Sequence, residues 1–136
     1  MKKTIYLAGP ILGLTNEVMN EWRNYVILQL QNKYNFLNPT RRVYDKFDAI
    51  KIVEGDKKDI RHSDIILVNH TKPSDGTAME IIYAWERKKI IYTTVKDKLY
   101  SPWIDYHSTK VFKTLDEVIN LLQQRELHEE NQSISE

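Results

Sequence analysis

Three short stretches of this sequence hold residue types that could do chemistry. Asp75-Gly76-Thr77-Ala78-Met79-Glu80 follows an apolar run and its loop. Glycine permits a tight turn there and Thr77 can cap a new helix, which puts Glu80 in a first turn where backbone donors stabilise a carboxylate. A carboxylate so held can serve as nucleophile or acid–base group. The same Thr77–Glu80 spacing is also a capping box, in which the two only stabilise one another. Asp56, Asp59 and Asp64 form the second group. Asp56 and Asp59 share one helical face, either as a carboxylate pair or as a solvated face shared with Lys57, Lys58 and Arg61. The third is Tyr6-Leu7-Ala8-Gly9-Pro10, where a glycine would let a ligand approach the backbone.

Other chemistries lack their signatures. There is no glycine-rich dinucleotide fingerprint and no phosphate loop ending in lysine and serine or threonine. The chain has no cysteine, and His62, His70, His107 and His128 lack metal-ligand spacing, so neither a metal site nor a cofactor is expected. Arg41 and Arg42 could meet a phosphate or simply face solvent. Tyr44, Tyr100, Trp103 and Tyr106 fall in non-periodic segments, where they could stack on a planar base or fill a subunit interface. His107 could contact a ligand or cap a turn.

The elements that must position these residues follow from periodicity. Thr4 to Ala8 is nearly all apolar and stops at Gly9-Pro10, as a strand covered on both faces does. From Asn16 to Lys33, Val18, Trp22, Tyr25, Val26 and Leu30 predict one apolar helix face. Tyr34 to Leu37 is a second strand, and 39–47 a loop. Ile50, Val53 and Ile60 predict a helix over about 48–62. Ile65 to Val68 is the strongest buried-strand signal. A helix follows from near Thr77, packed by Met79, Ile82, Tyr83 and Trp85, then a strand from Ile90 to Val95. Residues 96–110 are irregular, Val111-Phe112 a brief strand, and Thr114–Glu117 a capping box before the last helix. This alternation predicts an α/β fold: an open parallel sheet of four or five strands with helices on both faces, Rossmann-like or flavodoxin-like. Ligand-binding loops then gather at the carboxyl ends of the strands.

The 136 residues suffice for a single domain, expected over 1–125 with a polar, acidic tail over 126–136. At 41% hydrophobic and 29% charged residues the composition is globular. A formal net charge of +1 gives no electrostatic reason to expect nucleic acid or a membrane as partner. Only a short apolar run follows Met1-Lys2-Lys3, so neither a signal peptide nor a membrane span is expected, and the expected location is cytoplasmic.

The sequence resembles the nucleoside 2-deoxyribosyltransferase family and its relatives that hydrolyse 2-deoxynucleoside 5-monophosphates. The likeness rests on Ile5-Tyr6-Leu7-Ala8-Gly9-Pro10, on Asp56 through Asp64 before Ile65-Ile66-Leu67-Val68, and on Asp75-Gly76-Thr77-Ala78-Met79-Glu80 leading into Ile81-Ile82-Tyr83-Ala84. The resemblance implies that Glu80 is the nucleophile, Tyr6 the tyrosine that helps hold it, Asp56 a carboxylate near sugar and base, and Asp75 the aspartate that serves the nucleobase. It also implies a homo-oligomer, often with a neighbouring chain closing the pocket. Gly9, Pro10, Arg41, Tyr44, Gly76, Thr77, Trp103 and His107 are the expected substrate contacts.

The function expected from this is cleavage of the N-glycosidic bond of a deoxynucleoside, with transfer of the sugar to another nucleobase through a covalent glutamyl intermediate. No cofactor is required. The alternative is hydrolysis of 2-deoxynucleoside 5-monophosphates. Gly9-Pro10-Ile11-Leu12-Gly13-Leu14 lacks the serine and arginine of those relatives' phosphate-binding start, for which Arg41 or Arg42 could compensate. A noncatalytic nucleoside- or nucleotide-binding protein is the third reading.

Overall fold

The computed structural model describes residues 2–42, 45, 47–97 and 100–135, with 126–135 described by backbone alone. Strands β1 (Lys3–Ala8), β2 (Tyr34–Leu37), β3 (Ile65–His70), β4 (Ile90–Val95) and β5 (Lys110–Phe112) form one parallel sheet of order β2-β1-β3-β4-β5. Helices α1 (Asn16–Leu30), α2 (Ala49–Arg61), α3 (Asp75–Glu86), α4 (Pro102–His107) and α5 (Leu115–Ser135) complete the α/β fold, and a 3-10 turn, Pro39–Arg41, follows β2.

The two apolar runs became the central strands. Ile5, Tyr6, Leu7 and Ala8 pair in register with Ile65, Ile66, Leu67 and Val68, and all eight are fully buried. Because side chains alternate across a strand, they divide between two cores. Ile5, Leu7, Ile65 and Leu67 pack with Val26 and Leu30 of α1 and Val118 and Leu122 of α5. Tyr6, Ala8, Ile66 and Val68 pack with Ile60 of α2, Ile81 and Ala84 of α3, and Ile104 of α4. The chain leaves β1 for β2 on one side and returns to β3 on the other, so the crevice at this topological switch opens at the carboxyl ends of β1 and β3.

Several expected helix faces are rotated. In α1 the inward residues are Arg23, Val26 and Leu30, while Val18 and Tyr25 are half-exposed. Helix α3 begins at Asp75, two residues before the expected start, because Ser74 caps it by accepting from the Thr77 amide. Its buried residues are Thr77, Ile81 and Ala84, leaving Met79 and Trp85 outside. On α2, Ile50 and Val53 are exposed and Ile60 carries the packing. The irregular 96–110 segment contains α4, which starts on Pro102 at a position that needs no amide and is capped by Ser101. The expected Thr114 cap forms, its hydroxyl accepting from the Glu117 amide at 3.2 Å. The backbone of α5 continues helical through the expected tail to Ser135.

Two glycines answer to particular constraints. Gly13 has φ +80° in the turn closed by Leu14 N–H to Ile11 C=O, a backbone region that favours glycine. At Gly9 the expected room for a ligand is filled by protein: an added Cβ would lie 2.9 Å from Trp22 Cζ2 and 3.1 Å from the Asn69 carbonyl. Gly9 and Pro10 are both buried and shape the β1–α1 turn. Gly9→Ala is expected to cost about 1–3 kcal/mol through overpacking, read as a lowered denaturant midpoint.

Candidate active site

Tyr6 faces the α2–α3 layer, and its hydroxyl donates to Oε2 of Glu80. Thus Glu80 is not spent on its own helix terminus: Ser74 took the capping role, and the carboxylate reaches across to β1 instead. Its Oε1 takes no hydrogen bond among the described residues. Asp56, from α2, stands beside the same tyrosine hydroxyl. Arg42, just after the 3-10 turn, ties this edge together, donating from Nη2 to Asp56 Oδ1 and from Nη1 to Asp59 Oδ2, the latter at 2.6 Å. β1, α2 and α3 thereby converge on one cluster at the carboxyl edge.

Two carboxylates in a partly dry site resist simultaneous ionisation. Burial pushes the Glu80 carboxyl up to about 8, and the Asp56 charge pushes the same way; the Tyr6 hydroxyl, Arg23 and Arg42 pull it back. Burial also raises Asp56, against the pull of Arg42 and of the Tyr6 hydroxyl. Tyr6 is held well above its ordinary value, by burial first and the Glu80 charge second, which keeps it a donor. The result is a carboxyl pair in which one Glu80 oxygen is held by Tyr6 and the other is unengaged, and burial raises both groups above their ordinary values. Such a pair can attack an electrophilic carbon and protonate the group that leaves.

The other expected residues do not join this cluster. Asp75 is exposed at the start of α3 and lines a groove of about 320 Å³ with His70, Pro73, Trp103 and Ile104. Five positions separate it from Glu80, which places the two roughly 140° apart around the helix. Trp103 is 71% exposed, and His107 is buried under it, Nδ1 lying 2.7 Å from the Trp103 carbonyl with the two rings stacked. Thr77 is buried and bonded to Ser74 as part of the cap. Arg41 is exposed, and its neighbour Arg42 carries the contact to the acids. Asp64 bonds the Thr4 amide at the opposite edge of the sheet. Gly76 is exposed one turn before Glu80, with nothing within 4 Å of where a Cβ would stand. Tyr44 lies outside the described residues. Among the described residues, no group of three or more His, Asp or Glu side chains is placed to hold a metal ion.

Sequence reasoning missed Arg23. It is fully buried in α1, with Nε donating to Leu7 C=O at 3.3 Å, Nη1 to Met19 C=O at 2.5 Å and Nη2 to Gly9 C=O at 3.2 Å. The available signal was its place three residues before Val26 and seven before Leu30, on the apolar stripe.

Comparison with curated proteins gives no match. Among solved structures, the chain is similar to a 2-deoxyribosyltransferase from Bacillus psychrosaccharolyticus (18% identity, 86% of this chain and 90% of that chain covered, TM-score 0.70). It is also similar to a 2-desoxiribosyltransferase from Leishmania mexicana (26% identity, 79% and 73% covered, TM-score 0.59) and to a CMP N-glycosidase from Clostridium botulinum (19% identity, 89% and 99% covered, TM-score 0.63). The sequence model of the family described as Nucleoside 2-deoxyribosyltransferase matches residues 5–131, a span that begins inside β1 and ends inside α5. Tyr6, Asp56 and Glu80 all lie within that match, and the chain belongs to the nucleoside 2-deoxyribosyltransferase family, enzymes of glycosidic-bond chemistry.

Proposed function

We propose that this enzyme cleaves the N-glycosidic bond of a 2-deoxyribonucleoside and transfers the sugar to a second nucleobase by double displacement at Glu80. The observation that carries this reading is the hydrogen bond from Tyr6 to Glu80 Oε2, which leaves Oε1 of a partly buried carboxylate unengaged. Oε1 attacks the anomeric carbon as the carbon–nitrogen bond breaks, its electron pair leaving with the base, which takes a proton from Asp56. The product of this half-reaction is a deoxyribosyl ester of Glu80. A nitrogen of the incoming base then attacks the same carbon, Glu80 departs as carboxylate, and the proton lost by that base returns to Asp56. Positive charge on the sugar in both transition states is stabilised by the carboxylate beside it. Asp56 suits the proton-carrying role better than Asp75, because burial raises it and it stands beside Tyr6, whereas Asp75 lies on another face of α3.

Incubation of the purified protein with a deoxynucleoside and a different free base, followed by chromatography with mass detection, tests the proposal. The exchanged deoxynucleoside is the expected product. Free sugar and base without exchange would assign hydrolysis instead, and binding without products would assign a sensor. The open space at Gly76 supplies a more local check. Gly76→Leu is expected to raise KM for the deoxynucleoside by roughly 5- to 150-fold by filling the volume next to Glu80, the factor that overpacking of about 1–3 kcal/mol corresponds to. Thermal stability of the variant should not fall, because leucine is the better helix former.

A further inference from the structure

We infer that Arg23 is a positioning residue for this reaction: its buried guanidinium fixes the β1–α1 turn and supplies the standing positive charge that faces Glu80 and Asp56 from behind β1. The inference rests on the reading of Glu80 as the reacting carboxylate.

Burying a guanidinium is costly unless its charge and its donors are both answered. The donors of Arg23 are answered by three carbonyls, those of Leu7, Gly9 and Met19. Its charge is not answered at contact distance, since no carboxylate among the described residues lies within 4.0 Å of it. It is answered at longer range. Burial lowers the Arg23 pKa to about 10, and Glu80, Tyr6 and Asp56, in that order, act against that fall. The interaction is mutual, and Arg23 in turn favours ionised Glu80.

Among the described residues, the charged and titratable groups around Glu80 are then Tyr6 on β1, Arg42 after the 3-10 turn, Asp56 and Asp59 on α2, and Arg23 on α1. The two cations differ in kind. Arg42 is shared between two carboxylates, so much of its field is spent on Asp56 and Asp59. Arg23 instead touches neutral groups, the three carbonyls and the ring of Trp22, and retains a full charge for the site.

The geometry adds a second task. Leu7 and Gly9 bracket the end of β1, one residue beyond Tyr6, and a single planar fork holds both carbonyls. A lysine would keep the charge without reproducing that fork, whereas a methionine would keep much of the volume and lose the charge. The two substitutions therefore separate the two tasks.

Arg23→Met and Arg23→Lys would be compared with wild type by the pH dependence of kcat/KM for base exchange and by 13C NMR titration of the Glu80 carboxyl, assigned by its absence in Glu80→Gln. In Arg23→Met the Glu80 midpoint is expected to move up, because Arg23 favours the ionised carboxylate. In Arg23→Lys the midpoint should stay within a few tenths of wild type, and kcat should fall at least ~10-fold because the turn is no longer held by a fork. An unchanged midpoint in Arg23→Met, with lowered stability alone, would overturn the electrostatic role. If Arg23→Met does not fold, Arg23→Lys decides: full kcat would overturn the positioning role, and a midpoint displaced by a whole pH unit would show that charge is not what Arg23 supplies. The carboxyl titration needs no turnover. A wild-type protein without exchange activity would thus count against the glycosyl-transfer reading and still leave the titration to decide for or against Arg23.

Discussion

Glu80→Gln is expected to abolish base exchange and, at the same time, to stabilise the folded protein, by an amount that grows between pH 5 and pH 8. The activity loss follows from removing the proposed nucleophile, for which a fall on the order of 10⁴-fold or more is usual. The stability gain follows from the pKa. Glu80 is raised in the fold to about 8 from an ordinary 4.5, chiefly by burial. The unfolded chain therefore loses this proton first as pH rises. Stability linked to the protonated carboxyl is full below about 4.5 and is lost progressively as pH climbs to about 8. Glutamine remains neutral throughout and still offers an oxygen to the Tyr6 hydroxyl. Each pH unit between the unfolded and folded midpoints is worth about 1.4 kcal/mol, and Asp56 shares the titration, so a gain of about 2–4 kcal/mol at pH 8 is expected. Calorimetric unfolding at pH 5 and pH 8 measures it. A variant no more stable than wild type at pH 8 would mean that the carboxylate is a structural acceptor for Tyr6 and stores no cost in the fold. Wild-type kcat/KM should rise over the same window, as Glu80 ionises.

The sheet was legible because a strand buried on both faces leaves a continuous apolar run, and Ile5–Ala8 and Ile65–Val68 are such runs. Glu80 stood out for its spacing behind Gly76, although the local pattern could not tell a cap from a reacting group. The partner that draws its carboxylate away from the cap is Tyr6, 74 residues away on another element, which no window along the chain contains. The same holds for Arg42, whose partners Asp56 and Asp59 look like a solvated face until the chain after β2 folds over α2. Arg23 was missed for a different reason. A charge inside a helical period reads as the polar face, and counting it as such turned the α1 stripe toward Val18 and Tyr25. The position of Asp75 was derivable in advance, since five residues on a helix turn through roughly 140° and separate it from Glu80. Likewise Ser101-Pro102 is a helix start, though the aromatic residues after it suggested an irregular segment.

Tyr6→Phe is expected to lower kcat/KM by about 10- to 100-fold and to shift the rising limb of its pH profile to higher pH. Phenylalanine fills the same fully buried space between α2 and α3, so the packing of the ring is kept. What disappears is the one hydrogen bond that Glu80 accepts among the described residues. Hydrogen bonds to a charged group are worth about 1.5–3 kcal/mol, which corresponds to the stated range. The direction of the pH shift follows from the hydroxyl favouring ionised Glu80: without it, burial and the Asp56 charge act with less opposition, and the midpoint rises above about 8. Stability should respond in step. Little changes at pH 5, where Glu80 is protonated in the fold, and a larger loss develops toward alkaline pH as the carboxylate must form without its donor. Rate profiles of Tyr6→Phe and wild type from pH 5 to pH 9 decide the matter, with the maximal rate and the midpoint read separately. A lowered maximum at an unchanged midpoint would assign Tyr6 to holding the orientation of Glu80 alone, while no change in either would make the bond a by-product of packing and remove Tyr6 from the reaction.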